Sequence, residues 1–277
     1  MKLSIYLNNY FVNYNHKQDI PDKNLSIMLL RDLSEMDHTF IFRGEPSYRT
    51  DLHKILKMFR RKDYILTTDC SIPENILTYD KTIPYISFKW DGLKNDLIRG
   101  ERSLTFNMNI LIDKLKYDTS RIEYTFSPYN KDGWKYDIEV LKYYVNKGMK
   151  KPYFSLYQQA QIFNESDFKW INVTKELISR LNHSGLLTQK NLNYLNNWSN
   201  RRPYSCISPQ DELVIMFDGS VRLCQSHRIN EVIGDLNNES LDVIIERSKE
   251  ERRKAEECPL KLQCWLSYHA KDNSMHN

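Results

Sequence analysis

Between residues 3 and 157 the chain alternates about six times between short apolar runs of strand length and amphipathic runs of helix length. The strand candidates are 3–9, 39–42, 64–68, 84–88, 122–126 and 152–157. The helix candidates between them are 25–36, 51–61, 73–77, 104–115 and 136–146, the last ending near Gly148 as a C-cap. In 51–61, Leu52, Ile55, Leu56 and Phe59 fall on one face, and in 104–115 Phe106, Ile110, Leu111 and Leu115 are apolar. Such alternation implies βαβ units around a parallel sheet. The expected fold is therefore α/β, a partial (βα)6 TIM-like barrel followed by a small cysteine-rich domain. Ligands in such folds sit at the carboxyl ends of the strands. Three segments follow strands directly and are expected to line one mouth: Arg43-Gly44-Glu45-Pro46, Lys89-Trp90-Asp91-Gly92 and Ser127-Pro128-Tyr129-Asn130.

In the first of these, Gly44 lets backbone approach a ligand closely, Pro46 stiffens the exit and Glu45 places a carboxylate at the rim. An ordinary strand-to-helix turn has the same composition. Glu45, Asp91 and Glu123 are the acid–base candidates at the mouth, and no pair among them has a spacing that argues for a mechanism.

Four of the five cysteines, Cys206, Cys224, Cys258 and Cys264, crowd into one loop-rich segment. Thiolates gathered where a segment is too short to build a core point to a soft cation. The apolar run Leu213 to Phe217 turns at Asp218-Gly219, a hairpin signal that would bring Cys206 and Cys224 to neighbouring ends. The Cys258/Cys264 loop would then close a four-thiolate site holding either one [4Fe–4S] cluster or zinc. His227 and His269 lie near enough in sequence to substitute in a zinc site. Unrelated buried thiols and disulfides are the alternatives. The chain shows no apolar signal segment and no run of transmembrane length, so a cytoplasmic location with reduced thiols is expected.

The net charge of +4 does not by itself license a nucleic-acid role. The 18 tyrosines, 8 glycines and near absence of alanine look like an AT-rich genome, for example a phage or low-GC bacterium. Residues 158–202 read as a polar helical bridge, with helix-like spacing at 174–181 and 189–198. Two aromatic–basic patches, Tyr143-Tyr144 with Lys147 and Trp198 with Arg201-Arg202-Pro203-Tyr204, would suit a peptide or a nucleic acid, although solvated charge is the default for such stretches. The charged helix 240–255 is expected to lie solvated over the cysteine site.

A strand ending Phe42-Arg43-Gly44-Glu45-Pro46 resembles the Gly-Gly-Glu-Pro motif of radical S-adenosylmethionine enzymes. That motif contacts the amino group of the methionine moiety. The stretch from Ile86 through Asp91-Gly92 to Ile98-Arg99-Gly100 is similar to the family's strand, Asp-Gly and Ile-Arg-Gly stretch. Cys206, Gly219 and Cys224 fit the opening spacing of the SPASM/twitch extension, and Val232-Ile233-Gly234-Asp235-Leu236 looks like the phrase that follows it. The resemblance runs from about residue 3 to 269. It implies a radical-SAM-like barrel over 1–160, a bridge over 161–202 and a SPASM/twitch-like metal-binding domain over 203–277. It also implies a site for S-adenosylmethionine at Gly44, Glu45 and Pro46, and a peptide or protein partner, with a small molecule as the alternative ligand.

The sequence departs from the family at its catalytic centre. The Cys-x3-Cys-x2-Cys loop that holds the catalytic cluster corresponds to residues 8–17, where Tyr10, Tyr14 and Lys17 take the ligand positions. Phenol and ammonium groups cannot replace thiolates on such a cluster. The first glycine of the Gly-Gly-Glu-Pro motif is Arg43. Ala255 and Tyr268 stand where the extension has further cysteines, so at most one auxiliary site survives. The expected function is that of a binding pseudoenzyme. The alternatives are an active enzyme using S-adenosylmethionine on a peptide or small molecule and, second, a nucleic-acid-binding protein, which would need a continuous basic face.

Overall fold

The structure is a computed structural model, and it describes residues 1–9, 23–78, 83–94, 96, 103–115, 117–126, 132–156, 166–200, 211–224 and 232–255. Six parallel strands are present: β1 (Lys2–Tyr6), β2 (Thr39–Arg43), β3 (Tyr64–Thr68), β4 (Tyr85–Trp90), β5 (Ser120–Phe126) and β6 (Lys150–Leu156). Helices α1 (Ile27–Ser34), α2 (Leu52–Met58), α3 (Pro73–Leu77), α4 (Leu104–Lys114) and α5 (Trp134–Asn146) connect them. Helices α6 (Ser166–His183) and α7 (Gln189–Ser199) form the bridge. Strands β7 (Glu212–Ile215), β8 (Ser220–Arg222) and β9 (Val232–Asp235) follow, and α8 (Leu241–Ala255) ends the described chain.

The strands make a 9-stranded sheet in the order β6-β5-β4-β3-β2-β1-β7-β8-β9. The sequential order of the first six strands is the expected partial (βα)6 TIM-like arrangement. Strand β1 is interior, pairing parallel with β2 on one side and with β7 on the other, Ile5 opposite both Phe42 and Ile215. The hairpin β7–β8 turns at Asp218-Gly219, where Gly219 has φ +89. Thus the C-terminal strands extend the barrel sheet through its first strand.

Side-chain alternation sorts each strand into two faces. The helix-side face is apolar: Leu3, Ile5, Phe40, Phe42, Tyr64, Leu66, Phe88, Trp90, Ile122, Tyr124 and Phe154 are all buried. Aromatic edges lock the helices to it. Phe59, just beyond α2, meets Phe40 and Phe42 at ring-centroid distances of 4.8 and 4.9 Å. Further along the sheet Trp90, Tyr124 and Phe154 stack edge-on in series at 5.8 and 5.9 Å. Each such contact adds about 1 kcal/mol to the area buried. The opposite, concave face is polar and carries Ser4, Arg43, Thr67, Ser87, Lys89, Arg121 and Glu123, placed there by strand alternation and register.

In α4 the buried residues are Leu104, Met108, Leu111 and Ile112, an i, i+4, i+7, i+8 stripe that leaves Phe106 on the opposite face, 64% exposed. The first strand is shorter than expected and ends at Tyr6, with an isolated bridge from Asn8 to Asn24 just beyond it. Lys147 does sit over Tyr143, at 5.5 Å, on the outer surface. The backbone of Trp198 lies in α7, while Arg201, Arg202, Pro203 and Tyr204 lie outside the described residues, as do Ser127-Pro128-Tyr129-Asn130. No helix among the described residues is long and apolar enough to cross a membrane. Phe59→Ala should lower unfolding free energy by about 3–5 kcal/mol, since it empties a closed aromatic contact; a urea midpoint unchanged from wild type would refute its role as the anchor of α2.

Candidate functional site

The segment after β2 is the centre of the mouth. Gly44 has φ +80, and a Cβ there would collide with the Asn8 side-chain amide. Glycine is thus required both by backbone conformation and by close approach. Asn8, just past β1, clasps the next residue in both directions. Its Nδ2 donates to the Glu45 carbonyl at 2.8 Å, and its Oδ1 accepts from the Glu45 N–H at 3.0 Å. The Gly44 carbonyl accepts from the Lys89 ammonium at 2.8 Å. The Gly44 carbonyl and both backbone groups of Glu45 therefore have internal partners.

Glu45 does not present a carboxylate at the rim, as its sequence position suggested. It is fully buried. One carboxyl oxygen caps the short 3-10 turn Pro46–Tyr48 by accepting from the Ser47 N–H, and accepts from the Thr68 hydroxyl at 2.6 Å. The other accepts from the Asp69 N–H at 2.6 Å. Burial first, then the Asp69 carboxylate, hold the Glu45 carboxyl well above the usual range. This side chain fastens the β2 loop to the β3 loop. Pro46 occupies the first position of that turn, where its missing N–H is not needed.

Arg43 points along the concave face. Its Nε donates to the Ser4 hydroxyl at 3.1 Å, and Ser4 in turn donates to the Glu212 carboxylate of β7. The Tyr6 hydroxyl is pushed up to about 12 by burial, with Arg43 opposing and Glu212, Cys224 and Glu123 adding to the rise. Cys224, buried at the end of the hairpin, is thus close enough to the end of β1 to be felt electrostatically there. Arg49 ties the two stems of the loop after β1, donating to the Leu7 and Leu25 carbonyls at 2.9 and 2.8 Å while pairing with Asp51 at 2.7 Å.

On the neighbouring strands Asp91 is buried and Gly92 has φ +82, where a Cβ would strike the Asp137 carboxylate. Asp137 accepts from the Leu93 N–H at 2.8 Å and from the Tyr124 hydroxyl at 2.7 Å, so α5 grips the turn after β4. Burial, and then the nearby Asp91, push the Asp137 carboxyl up to about 6, against the lowering effect of those hydrogen bonds. Glu123 is half-buried and accepts from Ser87 at 2.9 Å. Of the acid–base candidates, only Glu123 faces the concave side with partial exposure.

Of the cysteine quartet Cys224 is described, while Cys206, Cys258 and Cys264 lie outside the described residues, as do His227, His269, Tyr10, Tyr14, Lys17 and Ile98-Arg99-Gly100. Among the described residues no group of three or more His, Cys, Asp or Glu is placed to hold a metal. Cys70, the first cysteine of the chain, is buried after β3 with φ 73 and belongs to no such group. Sequence reasoning passed over Asn8, Asp69 and Asp137, and saw Lys89 only as part of a mouth segment.

The geometry defines a class: a partial parallel barrel whose mouth carries a glycine–glutamate turn and whose first strand is joined by a C-terminal hairpin domain. Residues 206–265 match the SPASM family model, described as an iron–sulfur cluster-binding domain. Among solved structures, anSMEcpe with bound AdoMet and Cp18Cys peptide is 13% identical with a TM-score of 0.60, covering 94% of this chain and 87% of that one. Streptococcus suis SuiB bound to S-adenosylmethionine is 14% identical with a TM-score of 0.63, covering 95% and 72%. SuiB bound to precursor peptide SuiA is 12% identical with a TM-score of 0.61, covering 94% and 65%. A search of proteins with curated function finds no match. The resemblance to radical SAM/SPASM-type proteins therefore holds in fold over nearly the whole chain and in the SPASM match at its C-terminal end.

Because the Asp137 carboxyl sits above its unfolded value near 3.9, its contribution to stability is full below that value and is lost as pH rises through about 6. Between pH 4.5 and 7.5 wild type should lose on the order of 2 kcal/mol relative to Asp137→Asn in paired denaturant titrations. Parallel curves for the two proteins would show that the carboxylate is fully compensated.

Proposed function

We propose that this chain is a radical-SAM-like protein that has lost the catalytic [4Fe–4S] site and acts by binding a peptide or protein partner. The observation that carries the reading is the Lys89 ammonium on the Gly44 carbonyl at 2.8 Å. By the family resemblance, this turn is where the amino group of the methionine moiety would bind. Here an internal ammonium holds that carbonyl, and Asn8 holds the neighbouring peptide groups. An incoming amine must break a charge-assisted hydrogen bond of about 1.5–3 kcal/mol before it gains its own. The residues available do not fit S-adenosylmethionine in this seat.

The sequence supports the same reading. No cysteine precedes Cys70, so the loop after β1 offers no thiolate to a cluster. Reductive cleavage of S-adenosylmethionine consequently lacks its electron source. Arg43, in place of a glycine, is tied through Ser4 to Glu212 and is not positioned to relinquish the space.

The C-terminal domain keeps one site, with Cys206, Cys224, Cys258 and Cys264 as ligands to one [4Fe–4S] cluster or to zinc; the iron–sulfur description of the matching family model favours the cluster. When bound, the metal supplies a structural cross-link for this short segment. The neighbours with bound peptides, Cp18Cys on anSMEcpe and SuiA on SuiB, support a peptide as the partner class. The absence of a transmembrane-type helix among the described residues is consistent with a cytoplasmic location.

Wild type incubated anaerobically with S-adenosylmethionine and dithionite should form no 5′-deoxyadenosine above a protein-free control. Lys89→Ala should bind S-adenosylmethionine at least about ten-fold more tightly than wild type in equilibrium dialysis, the equivalent of one such hydrogen bond, and still not cleave it. Turnover by wild type would refute the loss of catalysis, and unchanged affinity in Lys89→Ala would refute the occupied seat.

A further inference from the structure

Toward the edge strand β6 the concave face carries a group that the mouth does not use. Thr67, Ser87, Arg121 and Lys150 form one lateral row across β3, β4, β5 and β6, each the register partner of the next. The row opens outward: Thr67 and Ser87 are buried, Arg121 is half-buried and Lys150 is exposed. The Arg121 guanidinium lies over the Tyr153 ring at 3.9 Å, and the Lys150 ammonium over the Tyr85 ring at 4.1 Å. Among the described residues neither cation has a carboxylate within ion-pair distance. Among the described residues the Thr67 hydroxyl, wholly buried, and the Arg121 Nε have no hydrogen-bond partner. Buried donors in that state have a cost of about 1–3 kcal/mol unless a ligand meets them.

We infer that this row is a docking site for an acidic peptide segment, whose carboxylates pair with Arg121 and Lys150 while its backbone packs between Tyr85 and Tyr153. The inference rests on the peptide-partner reading above and names the chemistry of that partner. Two cations held on aromatic faces keep a planar fork and an ammonium oriented without neutralising them. The patch is local. Glu123, one row further toward the mouth, and Glu212 on β7 interrupt any basic track along the concave face. A phosphodiester backbone needs a continuous run of cations, whereas one or two carboxylates need only this pair.

The test is fluorescence anisotropy on the full chain with a fluorescein-labelled peptide of alternating glutamate and serine, its glutamine counterpart, and an oligothymidylate of equal length. The glutamate peptide should bind about ten-fold more tightly than the glutamine one, as two partly exposed ion pairs allow. Arg121→Ala with Lys150→Ala should abolish that preference, and Lys249→Ala on α8, which removes a positive charge elsewhere, should leave it intact. Lys150→Glu alone, at an exposed position that does not endanger folding, should reverse it. A preference surviving these variants, equal binding of both peptides, or tighter binding of the oligothymidylate would overturn the inference. The assay contains neither S-adenosylmethionine nor reductant. Turnover in the earlier experiment would therefore remove the loss-of-catalysis reading and leave this one standing, whereas equal peptide binding removes this one alone.

Discussion

The structure depends on the placement of β1 between β2 and β7. A first strand at the edge of a partial barrel would leave its N–H and C=O groups open on one side. Here β7 pairs parallel with it from Lys2 to Ile5 and closes that edge. The same pairing brings Glu212 against Ser4 and so completes the chain Arg43–Ser4–Glu212 across three strands. The cation that replaces a glycine at the mouth is thereby balanced by a carboxylate from the C-terminal domain.

The regular elements were legible because their signal is local. Apolar runs at strand length and one-sided helices recur through 3–157, and the structure puts strands and helices at those places with shifts of a few residues. Gly148 does end α5, with φ +102 and its N–H on the Val145 carbonyl. In α4 the apolar residues named from sequence included Phe106, which the i, i+4, i+7, i+8 stripe of Leu104, Met108, Leu111 and Ile112 leaves outside. The mouth was legible as a place but not as a mechanism. Gly44, Glu45 and Pro46 could be marked by composition, yet what occupies them comes from Asn8 and Lys89, each about forty residues distant in sequence. A lysine at an inward position of a strand reads as a solvated charge until the partner carbonyl is seen.

Three arginine and lysine side chains face the concave side from β2, β4 and β5, and their different fates explain how the two ends of that face differ. Charges in a partly desolvated interior persist only when each is compensated. Arg43 reaches Glu212 through Ser4, and Lys89 reaches the Gly44 carbonyl. Both compensations are internal. Among the described residues Arg121 has the Tyr153 ring as its partner, which orients the cation without cancelling its charge. The cations at the mouth end therefore have polar partners, while the one toward the β6 edge lies on a ring. Arg121, half-exposed and held on a ring, keeps its charge at the β6 edge, where the acidic peptide inferred above would meet it.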